Sequence, residues 1–108
     1  MLFVDFVANN TNYKLRINTR ALLMLEKDLE YNPIYLFGVD VKKPVTPSHE
    51  DMLKVFKASL QPYHNSTEED TYAIFDAWID DGHITTDFIP IIVEIYRASG
   101  LINKKSKN

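Results

Sequence analysis

A chain of 108 residues, 45% hydrophobic and 12% aromatic, carries enough apolar surface to order one domain around one core, which argues against intrinsic disorder. Its formal net charge of −3 argues against a general affinity for phosphate backbones, and the absence of cysteine excludes a disulfide framework, a thiol nucleophile or a thiolate metal cage. Residues 1–7 lack a basic leader and are broken by Asp5, and the most apolar stretch, residues 88–96, contains Pro90 and Glu94, so the reading is a soluble cytoplasmic chain with no membrane or nucleic-acid partner.

The first eighteen residues alternate apolar and polar with period two around the corner Asn9, Asn10, Thr11, Asn12, which predicts a β-hairpin over residues 1–18. A symmetric corner places Phe6 opposite Leu15 and Val4 opposite Ile17 on one face, with Asp5 opposite Arg16 on the other. A lone ribbon is marginal in water, so it must lie on helices or gain strands from another subunit through its free edges. Phe3, Asp5, Val7 and Arg16 are the candidate self-association residues.

Thr19 is the expected N-cap of a first helix from Arg20 to about Glu30, with Leu22, Leu25 and Leu29 facing inward. The connector that follows, residues 31–45, is too apolar for a merely solvated loop and calls for cover. A second helix is expected from about Thr46, with Pro47 at its first position, to Leu60 before Pro62; Met52, Val55, Phe56, Ser59 and Leu60 mark its buried stripe. Ser66 and Glu69 form the capping box expected of a third helix, with Tyr72, Phe75, Trp78 and Ile79 on one side and Gly82 as its stop. A fourth helix is expected with its cap as late as Asp87, which puts Pro90 in the first turn, and with Ile91, Ile92, Val93 and Ile95 buried up to Gly100. The expectation is a mainly α fold, a four-helix domain with an N-terminal β-hairpin over residues 1–102 and a flexible tail over residues 103–108.

Catalytic and cofactor chemistry finds little support in this inventory. His49, His64 and His83 have no second ligand at a spacing that would aim two groups at one metal. Asp81, Gly82 and Ile84 fit part of a calcium loop, but Ala77, Ile79 and Phe88 fall where oxygen ligands are needed. The glycines Gly38, Gly82 and Gly100 are too scattered for a phosphate loop, no serine sits in a strand-turn-helix elbow, and Glu68, Glu69 and Asp70 suit a helix N-terminus better than acid-base work. Lys104, Lys105 and Lys107 read as a solubilising end. The expectation is therefore no enzyme, no catalytic residue, no metal and no cofactor. Tyr31, Ile34, Tyr35, Leu36 and Phe37 read either as a lid over the core or as a surface for a protein partner.

The order of pieces is familiar. Tyr13 to Arg20, then Leu25-Glu26-Lys27, then Ala58 to His64, then Ala77 to Gly82, then Ile92 to Gly100 together resemble the tail assembly chaperones of long-tailed, siphovirus-type phages of Gram-positive bacteria. The resemblance implies a small helical protein of the host cell cytoplasm, absent from the mature virion. It would coat the tape measure protein as a homo-oligomer until the tail tube protein displaces it. It also implies a longer product made by frameshifting near Lys104 and Lys105. Apart from the resemblance, a ribbon this short needs an additional surface and has free edges, so the hairpin is expected to serve assembly, and removal of residues 1–12 to leave a helical protein of lower oligomeric state. The competing reading is a small phage-encoded inhibitor of a host protein, a monomer or dimer with one compact contact patch.

Overall fold

The computed structural model describes residues 2–103. Among these the chain runs as strands β1 (Val4–Ala8) and β2 (Thr11–Leu15), helix α1 (Thr19–Leu29), a 3-10 turn (Pro33–Tyr35), helix α2 (His49–His64), helix α3 (Glu68–Asp80), a second 3-10 turn (Thr85–Asp87) and helix α4 (Phe88–Ser99). The fold is thus α-rich, with four helices and one two-stranded antiparallel sheet at the N-terminal end. The tail beyond Asn103, with the frameshift position at Lys104 and Lys105, lies outside the described residues.

The hairpin turn is tighter than a symmetric four-residue corner. Asn9 and Asn10 alone make it, at φ values of 50° and 62°, the left-handed backbone that a two-residue hairpin loop requires and Asn tolerates. Val4 therefore pairs with Leu15, Asp5 with Lys14, Phe6 with Tyr13 and Ala8 with Thr11, which corrects the expected Phe6–Leu15, Val4–Ile17 and Asp5–Arg16 register. A two-residue displacement keeps each side chain on its face. Phe6, Ala8, Leu15 and Ile17 are accordingly all buried.

Helix boundaries follow local capping chemistry. Asn18, not Thr19, caps α1, its side chain accepting the Ala21 N–H at 3.0 Å. Helix α2 starts after Ser48, which accepts from the Asp51 N–H at 3.1 Å, and Pro47 is buried just before the cap instead of opening the helix. The helix also runs through Pro62 to His64. Proline removes one donor from the ladder, but the final turn is fastened to the hairpin: Ser59 O accepts the Arg16 N–H at 2.9 Å and His64 Nε2 accepts the Lys14 N–H at 2.8 Å. The capping box of α3 belongs to Thr67 and Asp70, with reciprocal bonds of 3.0 Å, while Ser66 is buried. The α4 cap falls at Asp87, with Gly100 at φ 83° closing the helix.

The core is one cluster fed by every element. Its centre is aromatic: the Phe6 ring lies 4.9 Å from Phe56, 5.4 Å from Trp78 and 6.0 Å from Phe88, centroid to centroid. The buried stripe of α2 is as expected, from Met52 to Leu60. In α3 the inner face is Thr71, Phe75 and Trp78, with Tyr72 exposed and Ile79 half-buried. In α4 Ile92 and Ile95 are buried, but Ile91 and Val93 are only half-buried.

Phe6→Ala should lower stability by about 3–5 kcal/mol, because it opens a cavity where three helices meet, whereas Val7→Ala should cost no more than about 0.5 kcal/mol. Urea unfolding of both variants checks the register, since a hairpin slipped by one residue would exchange the two costs.

Candidate partner-binding surface

The connector between α1 and α2 is both anchored and exposed. Glu30 leaves α1 in a left-handed conformation at φ 66°, and the Asn32 side chain then accepts the Ile34 N–H at 3.1 Å, capping the 3-10 turn behind a buried Pro33. Tyr96 of α4 donates its hydroxyl to Pro33 O at 2.8 Å, and Tyr31 donates to Asp51 Oδ2 at 2.9 Å. Burial, reinforced by the Asp51 carboxylate, pushes the Tyr31 phenol up to about 12, and burial likewise raises that of Tyr96. Both rings therefore stay neutral donors and pin the segment to the core.

The five connector residues singled out from sequence divide accordingly. Leu36 is 2% exposed and belongs to the core, so it is withdrawn as a partner contact: the 3-10 turn rotates it inward. Tyr31 and Phe37 are half-buried and pack against the core. Ile34 and Tyr35, at 44% and 47% exposed, face outward. Beyond them Val39, Val41 and Val45 are 81%, 91% and 55% exposed, in an excursion tied at its neck by the Val45 N–H to Phe37 O bond of 2.8 Å, with Gly38 at φ 96° making the bend. Those valines were expected to be covered; no part of the described chain covers them. The available signal was Lys42, Lys43 and Pro44, because two adjacent charges and a proline interrupt any period that could turn the three valines to one buried face.

The hairpin residues divide too. Arg16 is not free for self-association: its guanidinium donates to Leu2 O at 2.7 Å and to Ala98 O at 3.4 Å, clamping the sheet to the end of α4. Phe3 is half-buried and meets the Tyr63 ring edge-on at 5.7 Å, with Lys14 Nζ 5.0 Å above the Phe3 ring. Asp5 accepts from Asn12 Nδ2 at 3.0 Å on the exposed face, beside Val7, which is 56% exposed. The C-terminal part of the β2 edge is not free, since His64 takes the N–H of Lys14 and Ser59 O that of Arg16 just beyond the strand.

The histidines stand apart. His49 Nε2 is 2.9 Å from Thr85 Oγ1, His83 stacks on Trp78 at 4.4 Å, and His64 lies against Tyr13. Among the described residues no group of three or more His, Asp or Glu is placed to hold a metal ion, and no helix is long and apolar enough to cross a membrane. What the surface offers is apolar contact area on a rigid base, which suits recognition of a protein.

An α-rich domain with an exposed apolar connector is the class that fold and surface define. The chain belongs to the DUF6096 family, described as a family of unknown function, whose model matches residues 5–108. No curated protein and no solved structure matches it.

Burial holds His64 below the ordinary imidazole range, and the nearby Lys14 ammonium works in the same direction. The Lys14 N–H bond also needs a neutral ring. A depressed folded-state value means that this stability is present above about pH 6.5 and is lost as pH falls through the folded value. His64→Gln, whose carbonyl can accept the same N–H without titrating, should flatten the loss. Urea unfolding at about pH 7.5 and about pH 5 tests this; equal pH dependence in both proteins would exclude the His64 contribution.

Proposed function

We propose that this chain is a tail assembly chaperone of siphovirus-type phages, which self-associates and keeps the tape measure protein soluble in the host cytoplasm until the tail tube protein polymerises around it. The observation that carries the reading is apolar surface left outside a closed core. Among the described residues no buried side-chain nitrogen or oxygen lacks a partner, and yet Ile34, Tyr35, Val39, Val41 and Val45 stay exposed on one connector. Exposed apolar side chains gathered on one connector and interspersed with Asp40, Lys42 and Lys43 suit contact with another protein. A long helical client with apolar stretches would aggregate if bare, and many copies of a small protein presenting such side chains would shield it. The order of sequence pieces from Tyr13 to Gly100 supports the same reading, and no cofactor, metal or covalent step enters it.

Tyr35→Ala and Ile34→Ala should each weaken client binding, by about 2 kcal/mol or roughly thirtyfold where the side chain is central to the contact, at an unchanged melting temperature. Leu36→Ala should instead lower the melting temperature, since it empties a core site. Co-expression with a fragment of the tape measure protein reads out the first effect as lost client solubility. A wild-type chain that gives the fragment no protection refutes the chaperone reading.

Removal of residues 1–12 cannot test self-association, because it takes Phe6 and Ala8 out of the core. The outer face of the hairpin is the proposed contact, and Val7→Lys alters it while leaving the core intact. Light scattering after size exclusion should show a smaller assembly for this variant; an unchanged mass excludes that face.

A further inference from the structure

A second recognition feature lies away from the connector. Helices α1 and α3 both pack against α2, and between them a hollow of about 580 Å³ runs over α2. It adjoins a smaller hollow of about 340 Å³ that shares Leu53 and Tyr72 and reaches Phe75. The floor is thus partly apolar. Leu53 is half-buried and Tyr72 is exposed, although Tyr72 follows the helical spacing of the inward-facing Phe75.

The charges around this valley divide into matched and unmatched groups. Lys54 is satisfied within the chain: its ammonium pairs with Glu50 at 3.1 Å and donates to Asp28 O at 2.9 Å. That arrangement neutralises the Glu50 carboxylate, while Asp28 is bound to Lys54 through its backbone carbonyl. Among the described residues, Lys27, Asp28, Lys57, Glu68 and Asp76 form no ion pair, and the Glu68 carboxylate takes a hydrogen bond from the Tyr72 hydroxyl. Lys27 and Lys57 come from α1 and α2, whereas Glu68 and Asp76 come from α3. Helices α1 and α2 thus bring Lys27, Lys54 and Lys57 against Asp28 and Glu50, whereas α3 brings Glu68 and Asp76, so one side of the valley is net basic and the other acidic, with Leu53 and the Tyr72 ring between.

We propose that the valley between α1 and α3 seats an amphipathic helix of a protein partner, one that carries carboxylates along one flank of its apolar stripe and Lys or Arg along the other. A helix laid on helices in this way buries its stripe on Leu53 and Tyr72, and each flank meets a side of opposite net charge. The seat extends the chaperone reading by naming where a helical client lies. It is tested with peptides alone, so that the two can fail separately.

Three eighteen-residue helical peptides share leucines at i, i+3, i+4 and i+7 and differ in their flanks: glutamate on one and lysine on the other, lysine on both, or glutamate on both. Titration calorimetry should show the mixed peptide binding about fivefold more tightly than either single-sign peptide, the scale of two exposed ion pairs. Amide shifts should centre on Leu53, Lys57 and Tyr72. The double variant K27E/K57E, with melting temperature as its folding control, should come to prefer the all-lysine peptide. Absence of binding, an unaltered preference in the variant, or shifts centred on residues 34–45 would overturn the proposal. So would light scattering showing that the peptide-free protein is a dimer that K27E/K57E dissociates, because the valley's occupant would then be a second copy. Valley binding without protection of a tape measure fragment would refute the chaperone reading and leave this one standing.

Discussion

The ring of Phe6 is the contact on which the arrangement of the helices depends. It projects from the middle of β1 and meets Phe56 of α2, Trp78 of α3 and Phe88 of α4. Those rings also meet one another, Phe56 to Phe88 at 5.1 Å and Trp78 to Phe88 at 5.9 Å, with edge-on geometries that favour aromatic pairs beyond their buried area. A two-stranded ribbon has too little surface to be stable alone, and here it has no need to be: its inner face is part of the helical core. Arg16, Asn9 and Ile17 then fasten its ends, to Ala98 O, Asp81 Oδ2 and Ser99 Oγ respectively. The hairpin is thereby a structural member of the domain and not an appendage available for exchange.

That role bears on how copies of the chain can meet. The C-terminal part of the β2 edge is occupied by the end of α2, which explains both why α2 continues past Pro62 and why β2 offers no full row of free donors to a neighbour. One contact thus settles two questions: the helix gains a last turn despite its proline, and the sheet loses part of an edge. What remains outward on the hairpin is the face with Asp5, Val7 and Asn12, a small and mixed surface better suited to a modest contact than to an extensive apolar interface.

Much of this was legible in the sequence because it rests on local chemistry. Periodicity placed the four helices, Asp87 and Gly100 bounded α4, and the stripe from Met52 to Leu60 was found residue by residue. The failures came where a distant contact outweighed a local rule. Pro62 reads as a stop, but His64 and Ser59 are held by the hairpin. Ser66 and Thr67 are equally good caps, and the choice fell to Thr67 because Ser66 is buried, with its carbonyl taken by Gln61 Nε2 at 2.8 Å. In the connector, composition identified an apolar segment correctly but could not say which residues turn in. Leu36 and Tyr35 differ only in their place on one 3-10 turn, and that decides core against surface.

The connector itself shows why its exposed valines differ from ordinary surface residues. Its first half is held by Pro33, Leu36 and the hydroxyls of Tyr31 and Tyr96, and the Val45–Phe37 bond closes the excursion at its neck. The loop is thus presented on a fixed base, so much of its ordering cost is met on folding. Burying Val41 or Val39 against the chain's own core would require breaking that neck or displacing residues that already fill it. Their exposure follows from a core that Leu36 and Pro33 already help to fill, and no other described residue covers them.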